Sequence, residues 1–322
     1  MKKVVTIGGG TGTFVVLSAL RRIPGLDLSA IISSADDGGS TGRLRDAYGF
    51  LPKGDARQAL VALAEGGEIL REIFAYRFAK GDVKGHSLGN LFLTALTDLL
   101  GSDAAALEEA SRILRVRGRV IPASEAPAVL VATLSDGTVL RGEHRLDEKI
   151  PGRARVAELM LESPVPAAAS AMAAVADANL VILGPGDLYA SSVAPLLPHG
   201  MQEAIASSQA KFLYIGNLFT KAGQTGGMSA QEHVSDLERY LGRPIDFILS
   251  CSDGRFDADV LERYLSEGEE PVVDDHGDDP RVTRASVASV HIVPPMPEDP
   301  VPRSLARHDP DKLAEALATY FI

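Results

Sequence analysis

The stretch VVTIGGGTGTFVVLSAL, residues 4–20, joins two apolar runs through a glycine-rich turn and decides the fold of the chain. Residues 4–7 are typical of a buried strand, and residues 14–20 have the apolar spacing of a helix that begins near Thr13. Backbone N–H groups in such a turn can approach an anion closely, and the positive end of the helix favours its charge. The turn therefore predicts phosphate binding by residues Gly9, Gly10, Thr11, Gly12 and Thr13.

The glycine spacing matches neither of the two common phosphate-binding motifs. A dinucleotide-binding turn reads G-x-G-x-x-G, and a P-loop ends in a glycine, a lysine and a serine or threonine. Here the last glycine, Gly12, comes one residue early for the first motif, and no lysine follows it. A tight turn with close helix–strand packing and no ligand is the competing interpretation. The order strand, glycines, helix favours the ligand.

Composition excludes several classes of protein. The 322 residues are 45% hydrophobic, which is ordinary for a folded globular chain. A net charge of −11 argues against non-specific binding to nucleic acid and to anionic membranes. The single cysteine, Cys251, excludes an intrachain disulfide and a cysteine-based zinc site. The N-terminus does not read as a signal peptide, and no apolar run reaches the roughly 18 residues of a spanning helix, so we expect a cytoplasmic protein.

Strand-like and helix-like segments alternate, which predicts an α/β fold with a mainly parallel sheet and helices on both faces. The predicted strands are Val4–Ile7, Ala30–Ser33, Leu180–Leu183, Phe212–Ile215 and Phe247–Leu249, with another near Val287–Val293. The predicted helices include Ala56–Ala64, Leu91–Leu100, Ala104–Leu114, Gln231–Leu241 and Lys312–Tyr320. Residues 128–143 instead predict an antiparallel hairpin that turns at Ser135–Gly137. We expect one domain over residues 1–322, with a small inserted lobe at about 116–160.

Glycine-rich polar loops follow five of the predicted strands. In a parallel sheet these loops share the edge where ligands bind. One such loop would mean little, but five on one edge predict a composite site. The loops are GGGTGT (8–13), SSADDGGSTGRLR (33–45), GPGDLYASS (184–192), GNLFTKAGQT (216–225) and SCSDG (250–254).

Carboxylates and basic residues in and near these loops indicate nucleotide chemistry. An acid such as Asp36 or Asp37 after the second strand can bind a ribose hydroxyl. Together with Asp55 it would also suit Mg²⁺, which prefers carboxylates, water and phosphate oxygens. A turn and a helix N-cap are the alternative roles of these acids. The basic residues that could contact a diphosphate, or cover a solvated helix face, are Arg43, Arg45, Lys53 and Arg57.

Two helix starts add further candidates. In KGHSLGNLFLTAL (84–96), His86 could move a proton or contact phosphate, whereas Ser87 and Asn90 could cap the helix or bind a base. Asp309 followed by Pro310 predicts the cap and first turn of the last helix. Arg307 and His308 then lie just outside that helix and either reach a ligand or form surface.

Taken together, these motifs resemble those of a known family. The chain is similar to the bacterial gluconeogenesis factors, or YvcK-like proteins, which are sisters of the CofD-like 2-phospho-L-lactate transferases of F420 synthesis. The similarity extends from residue 8 to residue 313. The segments that carry it are, in order, GGGTGT, SSADDGGSTGRLR, PKGDARQAL, GHSLGN, GPGDLYASS, GNLFTKAGQT, LERYLSEG and RHDPDKL.

The resemblance implies a Rossmann-like three-layer fold and a nucleotide site at the strand ends. In the gluconeogenesis-factor branch the implied ligand is a UDP-sugar, notably UDP-N-acetylglucosamine, and the implied role is regulation of cell shape and of growth on gluconeogenic carbon. Matched by motif, Gly10 to Gly12 would hold phosphate, Asp36 and Asp37 ribose or metal, and Tyr264 and Arg307 the sugar end. The other residues expected at the nucleotide are Lys53, Arg57, His86, Asn90, Gly184, Gly186, Asp187, Asn217 and Thr220.

Two alternatives stay open at this point. In a transferase-like enzyme, Asp36, Asp37 and Asp55 would hold Mg²⁺ beside a guanine-nucleotide donor, with a deazaflavin as acceptor. Of these acids, Asp37 and Asp55 are the expected metal ligands. An NAD-dependent oxidoreductase is disfavoured by the glycine spacing, although the same site could admit NAD or GDP. We also expect a homodimer.

Overall fold

A seven-stranded parallel sheet forms the centre of the computed structural model, which describes residues 1–35, 44, 50–252, 256–289 and 305–321. Its strands, numbered along the chain, lie in the order β10-β9-β8-β7-β1-β2-β3. Because the order runs outward in opposite directions from β1 and β7, a crevice opens between the carboxyl ends of these two strands. The strands are β1 (Lys2–Ile7), β2 (Leu26–Ile32), β3 (Arg119–Pro122), β4 (Leu130–Leu134), β5 (Val139–Arg141), β6 (Val156–Leu161), β7 (Leu180–Leu183), β8 (Lys211–Ile215), β9 (Phe247–Cys251) and β10 (Val282–Ala285).

Helices cover both faces of this sheet. Helices α1, α2 and α11 bury apolar side chains against one face, and α7, α8 and α9 bury theirs against the other. The helices are α1 (Gly10–Leu20), α2 (Gly54–Leu63), α3 (Glu68–Ala75), α4 (Leu88–Leu100), α5 (Asp103–Leu114), α6 (Glu143–Asp147), α7 (Ala169–Ala176), α8 (Met201–Ser207), α9 (Ala230–Leu241), α10 (Ala258–Ser266) and α11 (Pro310–Ala318).

The central strands are apolar along their whole length because each face has its own core. In β8, Phe212 and Tyr214 point to the core under α7–α9, and Leu213 and Ile215 point to the core under α1 and α11. All four residues are at most 1% exposed. This pattern is the one expected of a parallel strand buried on both sides.

The sequence prediction of an α/β fold is confirmed, although several element boundaries differ from the predicted ones. Helix α1 begins at Gly10 instead of near Thr13, because Gly9 is already the extended residue before the helix, with φ −147° and ψ 177°. The last two glycines of the turn therefore lie in the first helical turn. The structure has a strand at Val282–Ala285, whereas residues 287–289, the described part of the strand expected near Val287–Val293, belong to no strand. Residues from 290 to 304 lie outside the described part of the chain.

The predicted hairpin is also confirmed and forms part of a second, smaller sheet. Strands β5, β4 and β6 pair in that order, all antiparallel. Leu130 and Leu159 of this sheet are 1% and 2% exposed and join the core under α7–α9. Strand β3, which falls inside the range expected for the inserted lobe, is instead the edge strand of the large sheet. The small sheet itself starts at Leu130.

None of the helices in the described residues is both long enough and apolar enough to cross a membrane.

Candidate functional site

The glycines of the first turn are required by contacts within the chain. Gly10 has φ +65°, a conformation that glycine adopts without strain. A Cβ atom on Gly12 would lie 2.5 Å from the carbonyl carbon of Pro185, and one on Gly9 would lie 2.9 Å from Cγ of Asp55. The first turn of α1 therefore packs directly against the loop after β7. This close packing explains why Gly9 and Gly12 are glycines. It also places the N-terminus of α1 beside the crevice between β1 and β7.

Asp55 contacts this turn from another helix. Its Oδ1 accepts a hydrogen bond from the backbone N–H of Gly10 over 2.8 Å. The sequence left open whether Asp55 caps its own helix, but Lys53 occupies the N-cap position of α2. The Asp55 carboxylate thus satisfies a donor at the N-terminus of α1, where the helix dipole favours a negative charge.

A cleft opens at the carboxyl ends of β1, β7 and β8. It is lined by the first turn of α1, the loops after β7 and β8, and residues from three distant segments. The structure brings many of the sequence-predicted residues together here. Those that line the cleft are Thr11, Gly12, Gly186, Asp187, Asn217, Thr220, Tyr264 and Arg307.

One wall of the cleft holds a lysine between two acids. Lys221 Nζ donates to Asp187 Oδ2 over 3.0 Å. Burial acts to lower the pKa of Lys221, but the charges of Asp187 and Asp147 outweigh it and raise that pKa, so the amine stays cationic. Burial, reinforced by the charge of Asp187, raises the pKa of Asp147 to about 7. Asp147 also accepts a hydrogen bond from Gln224 Nε2 over 3.0 Å.

The opposite wall is built around Tyr264. Its ring stacks on Phe219 with 3.9 Å between centroids, and its hydroxyl accepts the backbone N–H of Ala306 over 3.1 Å. This hydrogen bond fixes the segment that carries Arg307. Lys149 Nζ lies 5.8 Å from the centroid of the Tyr264 ring and donates to Glu269 Oε2 over 3.0 Å.

Asn217 holds two loops together. Its Oδ1 accepts the hydroxyl of Tyr214 over 2.9 Å, and its Nδ2 donates to the carbonyl of Gly186 over 2.7 Å. Asn217 therefore positions the loop after β8 against the loop after β7, in addition to lining the cleft.

Several predicted residues lie away from the cleft, in the packing between α2, α4 and α5. Lys53 is 4% exposed, donates to Thr97 Oγ1 over 2.8 Å and forms an ion pair with Asp103. Arg57 is 6% exposed and donates to Asn90 Oδ1 over 3.1 Å. The solvated helix face that the sequence offered as their alternative is therefore wrong for both, because these side chains are buried and hydrogen-bonded.

The remaining predictions have mixed outcomes. His86 is half-buried in the turn before α4, and Ser87 caps that helix by accepting the N–H of Asn90, as the sequence allowed. Gly9, Gly10, Thr13 and Gly184 belong to the two turns behind the cleft and are not part of its lining. Asp36 and Asp37, with Arg43 and Arg45, lie outside the described residues.

Metal binding by Asp37 and Asp55 stays a prediction. Within the described ranges, no three His, Cys, Asp or Glu side chains are grouped as metal ligands. Of the predicted pair, only Asp55 can be placed, at the first turn of α1. A carboxylate at that position fits a metal held beside a diphosphate, since Mg²⁺ is bound by one or two carboxylates together with phosphate oxygens.

Sequence reasoning did not single out Asp147, Lys149 or Lys221. Lys221 lies inside the quoted loop GNLFTKAGQT, so its position after β8 was the available signal. Asp147 and Lys149 follow the small sheet's hairpin, and no motif marks them. Only the docking of that hairpin on the large sheet brings Lys149 to the cleft and Asp147 beside Asp187 and Lys221 in its wall.

A doubly wound parallel sheet with a cleft where the strand order reverses defines a protein of the Rossmann-like class. A family model described as 2-phospho-L-lactate transferase CofD matches residues 4–293. The chain belongs to this CofD family.

Several similar proteins carry the gluconeogenesis-factor name. The chain is 36% identical over 321 residues to the gluconeogenesis factor of Halalkalibacterium halodurans, across 98% of this chain and 95% of that protein. It is 38% identical over 272 residues to the gluconeogenesis factor of Bacillus subtilis, across 84% of each. The crystal structure of a UPF0052 family member from Bacillus halodurans superposes with a TM-score of 0.88 at 33% identity, covering 98% of this chain and 99% of that one. These findings confirm the family resemblance and the fold class.

Proposed function

We propose that this protein is a regulatory protein that binds a UDP-sugar, with UDP-N-acetylglucosamine as the preferred ligand, and links it to cell shape and growth on gluconeogenic carbon. Kinship with the gluconeogenesis factors supports this function. The observation that carries it is the cleft, where the first turn of α1 faces Lys221, Arg307 and Tyr264.

The chemistry of the cleft suits a nucleotide diphosphate joined to a sugar. The backbone at Thr11 and Gly12 lies at a helix N-terminus, which favours phosphate. Lys221 and Arg307 supply positive charge on the walls. Beyond them, Lys149, Glu269 and the ring of Tyr264 offer hydrogen-bonding groups and an aromatic surface to a sugar.

A thermal-shift titration with UDP-N-acetylglucosamine, UDP-glucose, GDP and NAD, each with and without Mg²⁺, tests the proposal. A ligand at 100 times its dissociation constant that binds only the folded chain adds about 2.7 kcal/mol, which is a visible shift. We expect the UDP-sugars to stabilise the protein and Arg307→Ala to weaken their binding at least tenfold. Arg22→Ala is the matched control, because Arg22 forms an exposed ion pair with Asp311 and does not line the cleft.

Stabilisation by GDP with Mg²⁺ alone would contradict this function and favour the second candidate. That candidate is a metal-dependent transferase acting on a guanine-nucleotide donor, and the description of the matching family model supports it. Asp55→Asn tests its metal. The amide oxygen can still accept the N–H of Gly10, so an unchanged melting temperature with lost Mg²⁺ binding would support a ligand role for Asp55.

A further inference from the structure

Two carboxyl groups and one lysine meet in the wall of the cleft. The carboxyls of Asp147 and Asp187 lie within hydrogen-bonding reach of each other, and Lys221 Nζ donates to Asp187 Oδ2 over 3.0 Å. Asp187 and Lys221 line the cleft, with side chains 30% and 19% exposed, whereas Asp147 lies outside its lining. Lys221 therefore supplies one positive charge for two acids, and only one of these acids reaches the cleft.

The contacts of Asp147 suit an acid that holds a proton. Gln224 is 0% exposed, and its Nε2 donates to Asp147 Oδ1 over 3.0 Å. A protonated carboxyl still accepts through its carbonyl oxygen and has one O–H to donate. Asp147 in its acid form can therefore keep the bond from Gln224 while its hydroxyl donates to Asp187. Two ionised carboxylates at such short range repel each other, which favours one shared proton.

Further charged or titratable side chains surround this pair of acids. Lys149 is paired with Glu269 over 3.0 Å, and the charge of Arg153 acts first on Glu148. Among these side chains, His308 is the one whose ordinary pKa also lies near neutrality. Any experiment on the acid pair must therefore separate its titration from that of His308. The surrounding side chains are Glu148, Lys149, Arg153, Glu269, Arg307 and His308.

The protonation of the pair decides how the wall receives an anion. With both acids ionised, Asp147, Asp187 and Lys221 together carry one net negative charge, which repels phosphate. With one shared proton, Lys221 balances the remaining charge. We propose that an anionic ligand binds in the cleft together with one proton, which Asp147 holds and donates to Asp187, so that Asp147 is a positioning residue of the site. The inference rests on the proposed function, because it takes the diphosphate to lie beside Lys221.

This coupling sets the direction of the pH dependence of binding. The negative ligand raises the pKa of the shared proton above its value of about 7 in the free protein. Affinity is therefore at its full value below pH 7 and is lost as the pH rises through the pKa of the bound form. A pKa rise of about one unit corresponds to about tenfold in the dissociation constant.

Calorimetric titration of the full chain with UDP-N-acetylglucosamine at pH 6.0 and pH 8.5 tests the coupling. The diphosphate of this ligand is esterified at both ends, so it lacks the terminal phosphate whose pKa of about 6 would add its own pH dependence. We expect a dissociation constant about tenfold higher at pH 8.5. At pH 7.5 the heat of binding should change with the ionisation enthalpy of the buffer, as uptake of about half a proton requires. Neither measurement needs a variant.

Asp147→Asn tests the residue itself, because its amide donates to Asp187 at every pH and carries no charge. We expect the affinity of this variant to stay within twofold between pH 6.0 and pH 8.5, and to exceed that of the unmodified protein about tenfold at pH 8.5. A merely structural role would instead weaken binding at both pH values. Asp136→Asn is the control, because Asp136 is exposed in the hairpin turn, and it should keep the full pH dependence.

His308→Gln separates the two groups that could titrate in this range. We expect this variant to keep the tenfold ratio between the two pH values even if its affinity is lower at both. Loss of the ratio in His308→Gln with its persistence in Asp147→Asn would overturn the inference. A dissociation constant that stays within twofold in the unmodified protein, with heats independent of the buffer, would overturn it as well.

NAD and GDP-mannose, whose diphosphates are also esterified at both ends, distinguish this inference from the proposed function. If UDP-N-acetylglucosamine binds equally well at both pH values, the proton coupling fails and the proposed function stands. If only NAD or GDP-mannose binds, with a pH dependence that Asp147→Asn removes, the proposed function fails and the coupling stands. Absence of binding by all three ligands would overturn both.

Discussion

Gly12 shows how the absence of one side-chain atom brings two loops of the cleft together. Its Cα lies so close to the loop after β7 that a Cβ would clash with the carbonyl group of Pro185. Both partners are backbone, in the first turn of a helix and in a loop tied to Asn217, so neither can move aside easily. The close approach places Gly186 and Asp187 beside the helix N-terminus.

Gly12→Ala is therefore expected to destabilise the protein although alanine favours helices. Overpacking costs roughly 1–3 kcal/mol, and the displaced loop would also weaken ligand binding in the cleft. Urea denaturation measures the first effect and calorimetry with UDP-N-acetylglucosamine the second. Gly226→Ala is the control, since nothing lies within 4 Å of its Cβ position and we expect a change within about 0.5 kcal/mol. Equal stability of Gly12→Ala and the unmodified protein would show that the loop yields without cost.

The buried carboxyl of Asp147 makes the free energy of unfolding depend on pH. It lies within hydrogen-bonding reach of the Asp187 carboxylate, and its pKa of about 7 is far above its ordinary value of 3.8. Between these two pH values the folded chain holds a proton that the unfolded chain has released. Raising the pH through this window therefore lowers the free energy of unfolding.

Asp147→Asn removes this titration while its amide can still pair with Gln224 and Asp187. Between pH 4 and pH 7 we expect the free energy of unfolding to fall for the unmodified protein. For the variant we expect this fall to be smaller, and the difference between the two falls to be about 2–4 kcal/mol. Urea denaturation at several pH values measures it. Asp136→Asn is the control, because Asp136 is exposed and the hydrogen bond from the backbone of Thr138 lowers the pKa of its carboxyl instead of raising it. Parallel profiles for Asp147→Asn and the unmodified protein would contradict the assignment.

At the scale of elements, the start of α11 determines where Arg307 lies. Asp309 Oδ1 accepts the backbone N–H groups of Asp311 and Lys312 over 2.8 and 3.1 Å, and Pro310 occupies the first helical position. Leu313 and Leu317 of this helix are fully buried in the core under α1. The cap, the packed face and the Tyr264–Ala306 hydrogen bond together hold the residues between them at the cleft.

Loss of this cap is expected to cost about 1 kcal/mol in Asp309→Ala, because two donors at the helix N-terminus lose their acceptor. Asp309→Asn keeps a side-chain oxygen at the same place and should cost only a few tenths of that amount. Urea denaturation midpoints of the two variants measure the difference. If both variants lose the same stability, the effect comes from the charge of Asp309 and not from the cap.

At the scale of the whole molecule, strand order decides which loops can share a ligand. The loops after β1, β7 and β8 line one cleft because β7 lies between β1 and β8 in the sheet. Ser250 and Cys251, in the described part of the loop after β9, line a separate pocket beside β8. Of the five loops predicted to form a composite site, those after β1, β7 and β8 thus share one cleft. Ser33 and Ser34 of the loop after β2 line a separate small pocket, and most of that loop lies outside the described residues. That residues 1–322 form one domain, and that the protein forms a homodimer, stay predictions.

The sequence by itself determined the five central strands, β1, β2, β7, β8 and β9, the antiparallel hairpin, the cap at Asp309 and about half of the helices. It also predicted the edge of the sheet at which a site would form. These follow from side-chain periodicity, glycine and capping residues, which are properties of short segments. Tertiary structure alone decided that Asp55 binds the first turn of α1 and that Lys53 and Arg57 face inward. It also decided that Lys149 reaches the cleft and that Asp147 is buried beside Asp187. Such contacts join residues far apart in the chain, and strand order and helix packing fix them, neither of which a local pattern encodes.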